Sequence, residues 1–247
     1  MSIKPDGMFI TEQEFLFLST MQGIREFYGL PMGKSLGEEP EQELYGQVFT
    51  MIQNGLMVLT ENGLETDPWL VQAFAVIRDC SCILMAATAE VHMPVTCYYL
   101  GEQVVCVRES LRSSGSVYIG MMEKKQLAED LITEYAPPFG QLDPEGLEDR
   151  KTWEEGNFSF LPAGQILQNE KIRFLLDKVQ TDTGEITERM LILEGDLYPQ
   201  LYLTTQEGQK ESYCSRESFS RWTEEMAERR EEDDSGRCAD PVHRTGI

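Results

Sequence analysis

The sequence predicts an α+β protein: a quasi-two-fold duplicated unit with a central antiparallel β-sheet, helices packed against it and a C-terminal helical pair. Three observations predict this. From Ile83 to Tyr135, apolar runs at 83–88, 95–100, 103–108 and 116–121 are followed by a helix-forming segment, Lys124 to Tyr135. The rhythm returns at 171–180, 187–193, 200–205 and 210–214, closed by a helix from Ser215 to about Arg230. The turns between runs, among them Gly101-Glu102, Ser113-Ser-Gly115 and Glu207-Gly208, are short enough to join antiparallel neighbours. One domain over 1–235 is expected, with pseudo-repeats at about 66–135 and 170–231, and a disordered tail over 236–247.

Taken from the start, Thr11-Glu-Gln-Glu14 is a capping box ahead of Phe15, Leu16 and Leu18, and begins a helix near Thr11. Phe15, Leu18, Ile24 and Phe27 trace its apolar face, and Gly29-Leu-Pro31 ends it. Glu41 to Asn54 forms a second helix, buried through Leu44, Val48, Met51 and Ile52 and stopped by Asn54-Gly-Leu56. A short strand at 56–59 turns at Glu61-Asn-Gly63. Asp67-Pro68 supplies an N-cap and a first-turn proline for a helix carrying Trp69, Leu70, Phe74 and Ile77 to about Asp79. Val95, Cys97 and Tyr99 share one face of the first meander, and Ile172, Phe174 and Leu176 share one of the second. Between Tyr135 and Asn169 the pattern dissolves into a connector, with one short helix near 144–152. Phe219, Trp222 and Met226 form a single apolar stripe on the last helix.

Composition narrows the function classes. Of 247 residues, 41% are hydrophobic and 26% charged, which is ordinary for a globular chain, but the formal charge of −22 is not. Such a field repels nucleic-acid phosphates and anionic lipid, so neither nucleic acid nor membrane insertion is expected. No apolar run approaches the roughly 20 residues that span a bilayer. The start, Met1 to Gly7, has no basic segment leading into an apolar one, so a signal peptide is not expected. Six cysteines are too sparse for a disulfide scaffold, and Cys97 and Cys106 sit in apolar strand patterns, which points to a cytoplasmic setting.

Four short motifs suggest a function, and none carries one. Gly29-Leu-Pro-Met-Gly33-Lys34-Ser35 puts three residues between its glycines where a phosphate loop needs four, and a helix rather than a strand precedes it. Asp182-Thr-Gly184 has no second copy to share a proton with, and reads as a hairpin turn. Cys80-Ser-Cys82 is not a zinc-ligand spacing. Tyr213-x-x-x-Glu217 is a short tyrosine–acid spacing at a strand end. With two histidines in the chain, His92 in a turn and His243 in the tail, a nucleophile–histidine dyad has no surrounding motif. No catalytic residue, metal ligand or cofactor is expected.

In order, the chain resembles the EspG family, the cytosolic chaperones of type VII (ESX) secretion. The resemblance rests on the Thr11-Glu-Gln-Glu-Phe-Leu-Phe-Leu18 opening that ends in Gly29-Leu-Pro31, and on Gln53-Asn-Gly-Leu56 followed by Asp67-Pro-Trp-Leu70. It continues through the strands of 83–108 and Val117-Tyr-Ile-Gly120; the second half agrees in layout alone. The resemblance implies a quasi-two-fold α/β fold and binding of a helical secreted substrate whose apolar tip is kept soluble before export. It places the tip on the loop between early strands and by the closing helices, here Val91, His92 and Met93 (after Glu90), with Leu127, Leu131, Phe219 and Trp222. The loop is shorter than the family's. A helix stripe of this kind also packs simply on a sheet. A non-enzymatic cytoplasmic chaperone or adaptor is expected; the alternative is an acidic immunity protein that neutralises a cognate secreted toxin.

Overall fold

The computed structural model of the chain describes residues 7–24, 27–28, 30, 41–90, 93–111, 113–140, 150–152, 163–195 and 198–228. The near-miss phosphate loop apart from Leu30, both histidines and the 236–247 tail lie outside the described residues.

The strands are β1 (Gly7–Thr11), β2 (Met57–Thr60), β3 (Gly63–Thr66), β4 (Cys82–Thr88), β5 (Thr96–Leu100), β6 (Val104–Glu109), β7 (Ser116–Met122), β8 (Arg150–Thr152), β9 (Ile172–Gln180), β10 (Ile186–Leu193), β11 (Gln200–Thr205) and β12 (Gly208–Tyr213). The helices are α1 (Glu12–Met21), α2 (Glu41–Gln53), α3 (Pro68–Asp79), α4 (Leu127–Tyr135), α5 (Ala163–Ile166) and α6 (Arg216–Glu228). A 3-10 turn, Lys124–Gln126, leads into α4. β2 and β3 form a separate hairpin.

The local signals act as expected at several ends. The Thr11 hydroxyl accepts from the Glu14 N–H at 3.1 Å, while the Glu14 carboxylate accepts from the Thr11 N–H at 2.8 Å. Asp67 Oδ1 accepts from the Trp69 and Leu70 amides at 3.0 and 3.4 Å, capping α3. α2 stops where Gly55 turns left-handed at φ +71° and the Leu56 N–H reaches the Met51 carbonyl at 2.9 Å. The end of α1 differs from the sequence expectation. Gly23 adopts φ +75° and the Ile24 N–H bonds the Ser19 carbonyl at 3.0 Å, so the helix closes at Met21, ahead of Gly29. Gly23 meets the left-handed requirement first, and Ile24 then packs into the core.

Ten strands form one sheet in the order β1-β7-β6-β5-β4-β9-β10-β11-β12-β8, and every pair is antiparallel. The order mirrors itself about the β4–β9 seam, so that β4 to β7 with α4 correspond to β9 to β12 with α6. Each half gains an outer strand that the apolar rhythm does not announce. Gly7–Thr11 pairs with β7 at one edge, and Arg150–Thr152 pairs with β12 at the other, where a short helix was expected.

Odd positions such as Ile83, Cys97, Tyr99, Val105 and Val117 face α1, α2 and α3 through Phe15, Leu18, Met51, Leu70 and Phe74. Even positions such as Leu84, Tyr98, Cys106 and Phe174 face α4 and α6. Both faces are buried, so the central strands read as nearly continuous apolar runs. The α4 and α6 helices pack against each other over this second face. Two bulges disturb the β9–β10 ladder, at Thr187 and at Arg173. The second sends Ile172 into a small cluster with Ile166, Leu175 and Leu191, away from Phe174 and Leu176, which breaks the expected common face. No described helix is long and apolar enough to cross a membrane.

Candidate functional site

Open clefts lie at one end of the sheet, where β4, β6 and β10 finish and β5 and β9 begin. The first, of about 490 Å³, is lined by Thr88 to Glu90, Tyr135 to Phe139, the Arg173–Glu194 pair, and Tyr198-Pro199. The second, of about 390 Å³, is lined by Met93, Pro94, Thr96, Phe9, Leu111 and Tyr118, with Arg108, Glu109, Glu134 and Tyr135. The first uses the leading limb of the β4–β5 connection and the second its trailing limb. Tyr135 lines both.

Local chemistry builds each wall. α4 ends at Tyr135 because Ala136 turns left-handed, φ +41°, and Pro137-Pro138 cannot continue a helix. The chain then runs along the first cleft to Phe139, whose ring meets Phe219 edge-on at 5.8 Å, and the Gly140 N–H bonds the Cys214 carbonyl at 3.0 Å. The Tyr135 hydroxyl lies 2.6 Å from Thr96 Oγ1, 3.1 Å from the Ala86 carbonyl and 3.4 Å from that of Pro94. Burial pushes its phenol well above the ordinary range, so it stays a neutral donor that clamps the connection to α4. Arg173 reaches the first cleft because it is the extra residue of the β9 bulge, and it pairs there with Glu194.

The second cleft rests on a glycine floor. Gly7 and Gly120 are directly paired across β1–β7, and a Cβ on either would fall within 3 Å of the Tyr118 ring. Their absence of side chains lets that ring lie flat over the ladder. The Arg108 guanidinium stacks 4.7 Å from its centroid and pairs with the Glu134 carboxylate, its Nη2 donating at 2.7 Å and its Nη1 lying 2.6 Å from the other oxygen. Phe9, 61% exposed, meets Tyr118 at 5.1 Å and extends the apolar wall outward. Beneath, the Tyr98 hydroxyl donates to Asp130 at 2.8 Å. Desolvation holds the Asp130 carboxyl above the usual carboxylate range, against the lowering effect of that bond.

The expected site residues divide. Met93 lines the second cleft, whereas Val91 and His92 lie outside the described residues. Leu127, Leu131, Phe219 and Trp222 are between 0 and 1% exposed, in the core between the closing helices and the sheet. These side chains hold the helices down and face no open groove. Sequence reading missed Tyr118, Tyr135 and Arg173. An Arg in an apolar strand start and a Tyr immediately before Ala-Pro-Pro were the available signals.

Other chemistry is quiet among the described residues. No group of three His, Cys, Asp or Glu stands together to hold a metal. A third hollow lies on the opposite face, beside Tyr28, Tyr99, Cys80 and Thr181. The Tyr28 hydroxyl donates to the Thr181 carbonyl and the Thr181 hydroxyl to the Cys80 carbonyl. Burial pushes the Cys80 thiol up to about 12, which leaves it protonated at neutral pH. Away from the clefts, Tyr45, Phe49, Val58 and Leu59 on α2 and β2 are more than half exposed.

No protein-family model matches the sequence, and no curated protein does. Among solved structures, the chain is similar to the Mycobacterium tuberculosis type VII secretion system chaperone EspG5, solved in complex with the PE25–PPE41 dimer. The superposition covers 88% of this chain and 94% of that one, with a TM-score of 0.51 and 8% identity. At that identity the likeness is one of fold: this chain shares the chaperone's overall architecture.

Proposed function

We propose that this chain is a non-enzymatic cytoplasmic chaperone or adaptor that holds a helical type VII secretion substrate and keeps its apolar tip covered before export. The carrying observation is the pair of clefts flanking the β4–β5 connection, joined by Tyr135 and walled by Phe9, Leu111, Phe139 and Tyr198. An apolar helical tip otherwise associates unspecifically, since burial stabilises by about 25 cal/mol per Å². The likeness of fold to EspG5, a chaperone whose solved complex contains a PE25–PPE41 dimer, supports the reading. Co-expression with helical secreted proteins encoded beside it should yield a stable complex on size-exclusion chromatography. If the chain elutes free from every such candidate, the reading fails.

The net charge of −22 favours one other reading, an acidic immunity protein that covers the basic active site of a toxin. Rescue of cells expressing an adjacent toxin domain, with salt-sensitive binding to that domain, would favour it over the chaperone.

A further inference from the structure

We infer that the docked partner presents two cationic side chains on its apolar tip, one seated in each cleft against Glu90 and Glu109. This rests on the clefts being the docking surface proposed above.

The two clefts carry the same charge pattern. Each holds an arginine already closed on a glutamate, Arg173 with Glu194 in the first and Arg108 with Glu134 in the second. Each then holds one further carboxylate, Glu90 or Glu109. Among the described residues, neither of these side chains has a hydrogen-bond or ion-pair partner. Among the described lining residues the charges of each cleft sum to −1, beside tyrosine rings (Tyr135 and Tyr198, or Tyr118 and Tyr135) of the kind that attract cations. Arg108 over Tyr118 shows that a guanidinium fits against this wall.

Other occupants fit less well. An anionic tip would have to open an existing arginine–glutamate pair and leave a carboxylate behind. A second copy would bring a charge of −22 against the same charge. A purely apolar tip would desolvate Glu90 and Glu109 without replacing their water. A cation on an apolar stem satisfies the carboxylate and the ring together, and the field of the whole chain steers it inward.

The test uses the intact chain with n-butylguanidinium as probe and n-butylurea as its uncharged isostere, followed by NMR of the glutamate carboxylates. The cation should shift the Glu90 and Glu109 signals saturably, and bind about two- to fivefold more tightly than the urea. Glu90→Gln should abolish the response in the first cleft only, and Glu109→Gln in the second only. Equal response to the urea, or shifts at the exposed hairpin carboxylates Glu61 and Glu65 as large as in the clefts, would overturn the inference. Capture of a helical secreted partner alongside such a result would leave the chaperone reading standing. Seated guanidinium with no helical partner found would sink that reading alone.

Discussion

Arg189 grips Asp177 with two parallel hydrogen bonds, 2.6 and 2.7 Å, directly across the β9–β10 ladder, and both side chains are sealed from solvent. One rung along, on the opposite face, Lys178 donates to Glu188 at 3.1 Å, equally buried. The widest part of the sheet is thus pinned by charge on both faces. A one-residue slip would move each charge to the wrong face, so the pairs select one register.

Removing one partner strands the other. Arg189→Met should cost about 3–5 kcal/mol, because it leaves a buried carboxylate alone. The double replacement Arg189→Met with Asp177→Leu should recover most of that loss. Urea denaturation of the two single variants and the double gives the coupling directly. Full additivity would mean that the pair contributes nothing.

The buried stripe residues should behave as frame. Trp222→Ala is expected to lose about 3–5 kcal/mol and Leu131→Ala about 2–5 kcal/mol by urea denaturation, from lost burial and the cavity left behind. Partner capture should fall only in proportion to the unfolded fraction. Weakened capture by a fully folded Trp222→Ala would return that residue to the binding surface.

These cases also show what could be read from the chain. The meander was legible because its punctuation is local: Asp67-Pro68, Gly115 and Gly184 fix turns and caps wherever the strands end up. The Phe219–Trp222–Met226 stripe was legible as a face, but what it faces depends on α4 and the sheet. β1 was hidden because Gly7 to Thr11 finds its partner more than a hundred residues away. Arg173 reads as one more polar position until the bulge turns it into the first cleft. The clefts are assembled from β1, β4, β5, β6, β7, β9 and the end of α4, and no contiguous stretch encodes that.

Asp130 should leave a mark on pH dependence. Its folded-state carboxyl titrates above the ordinary value because of burial, so in that window the folded chain keeps a proton that the unfolded chain has lost. Its contribution to stability is therefore fully present below the ordinary carboxylate pKa and is lost as pH rises through the folded value. Asp130→Asn, which can still accept from Tyr98, should remove that component and be more stable than wild type at pH 7. A difference in urea midpoint between the two proteins that stays constant from pH 3 to pH 7 would contradict it.

Thiol labelling should follow burial. Desolvation pushes Cys97 and Cys214 up to about 12, while Cys82 is only half-buried. Iodoacetamide at pH 8 should therefore modify Cys82 ahead of Cys80, Cys97, Cys106 and Cys214 in the native protein, and all of them in urea. Peptide mass spectrometry reads the order. Early loss of Cys97 would mean that the sheet opens at β5.

The seam between β4 and β9 runs through seven paired positions, Cys82 with Gln180 to Thr88 with Phe174, and the first cleft sits across its end. The second cleft hangs from the same ladder two strands away. Paired strands of one hydrogen-bonded sheet thus underlie the two sockets. Their spacing is a built-in gauge, like the pitch of a two-pin connector. Under the proposed docking, a partner would have to arrive with its own prongs at that separation or rearrange to reach it. Selection would then act on the shape of the incoming tip before the strength of any single contact is tested.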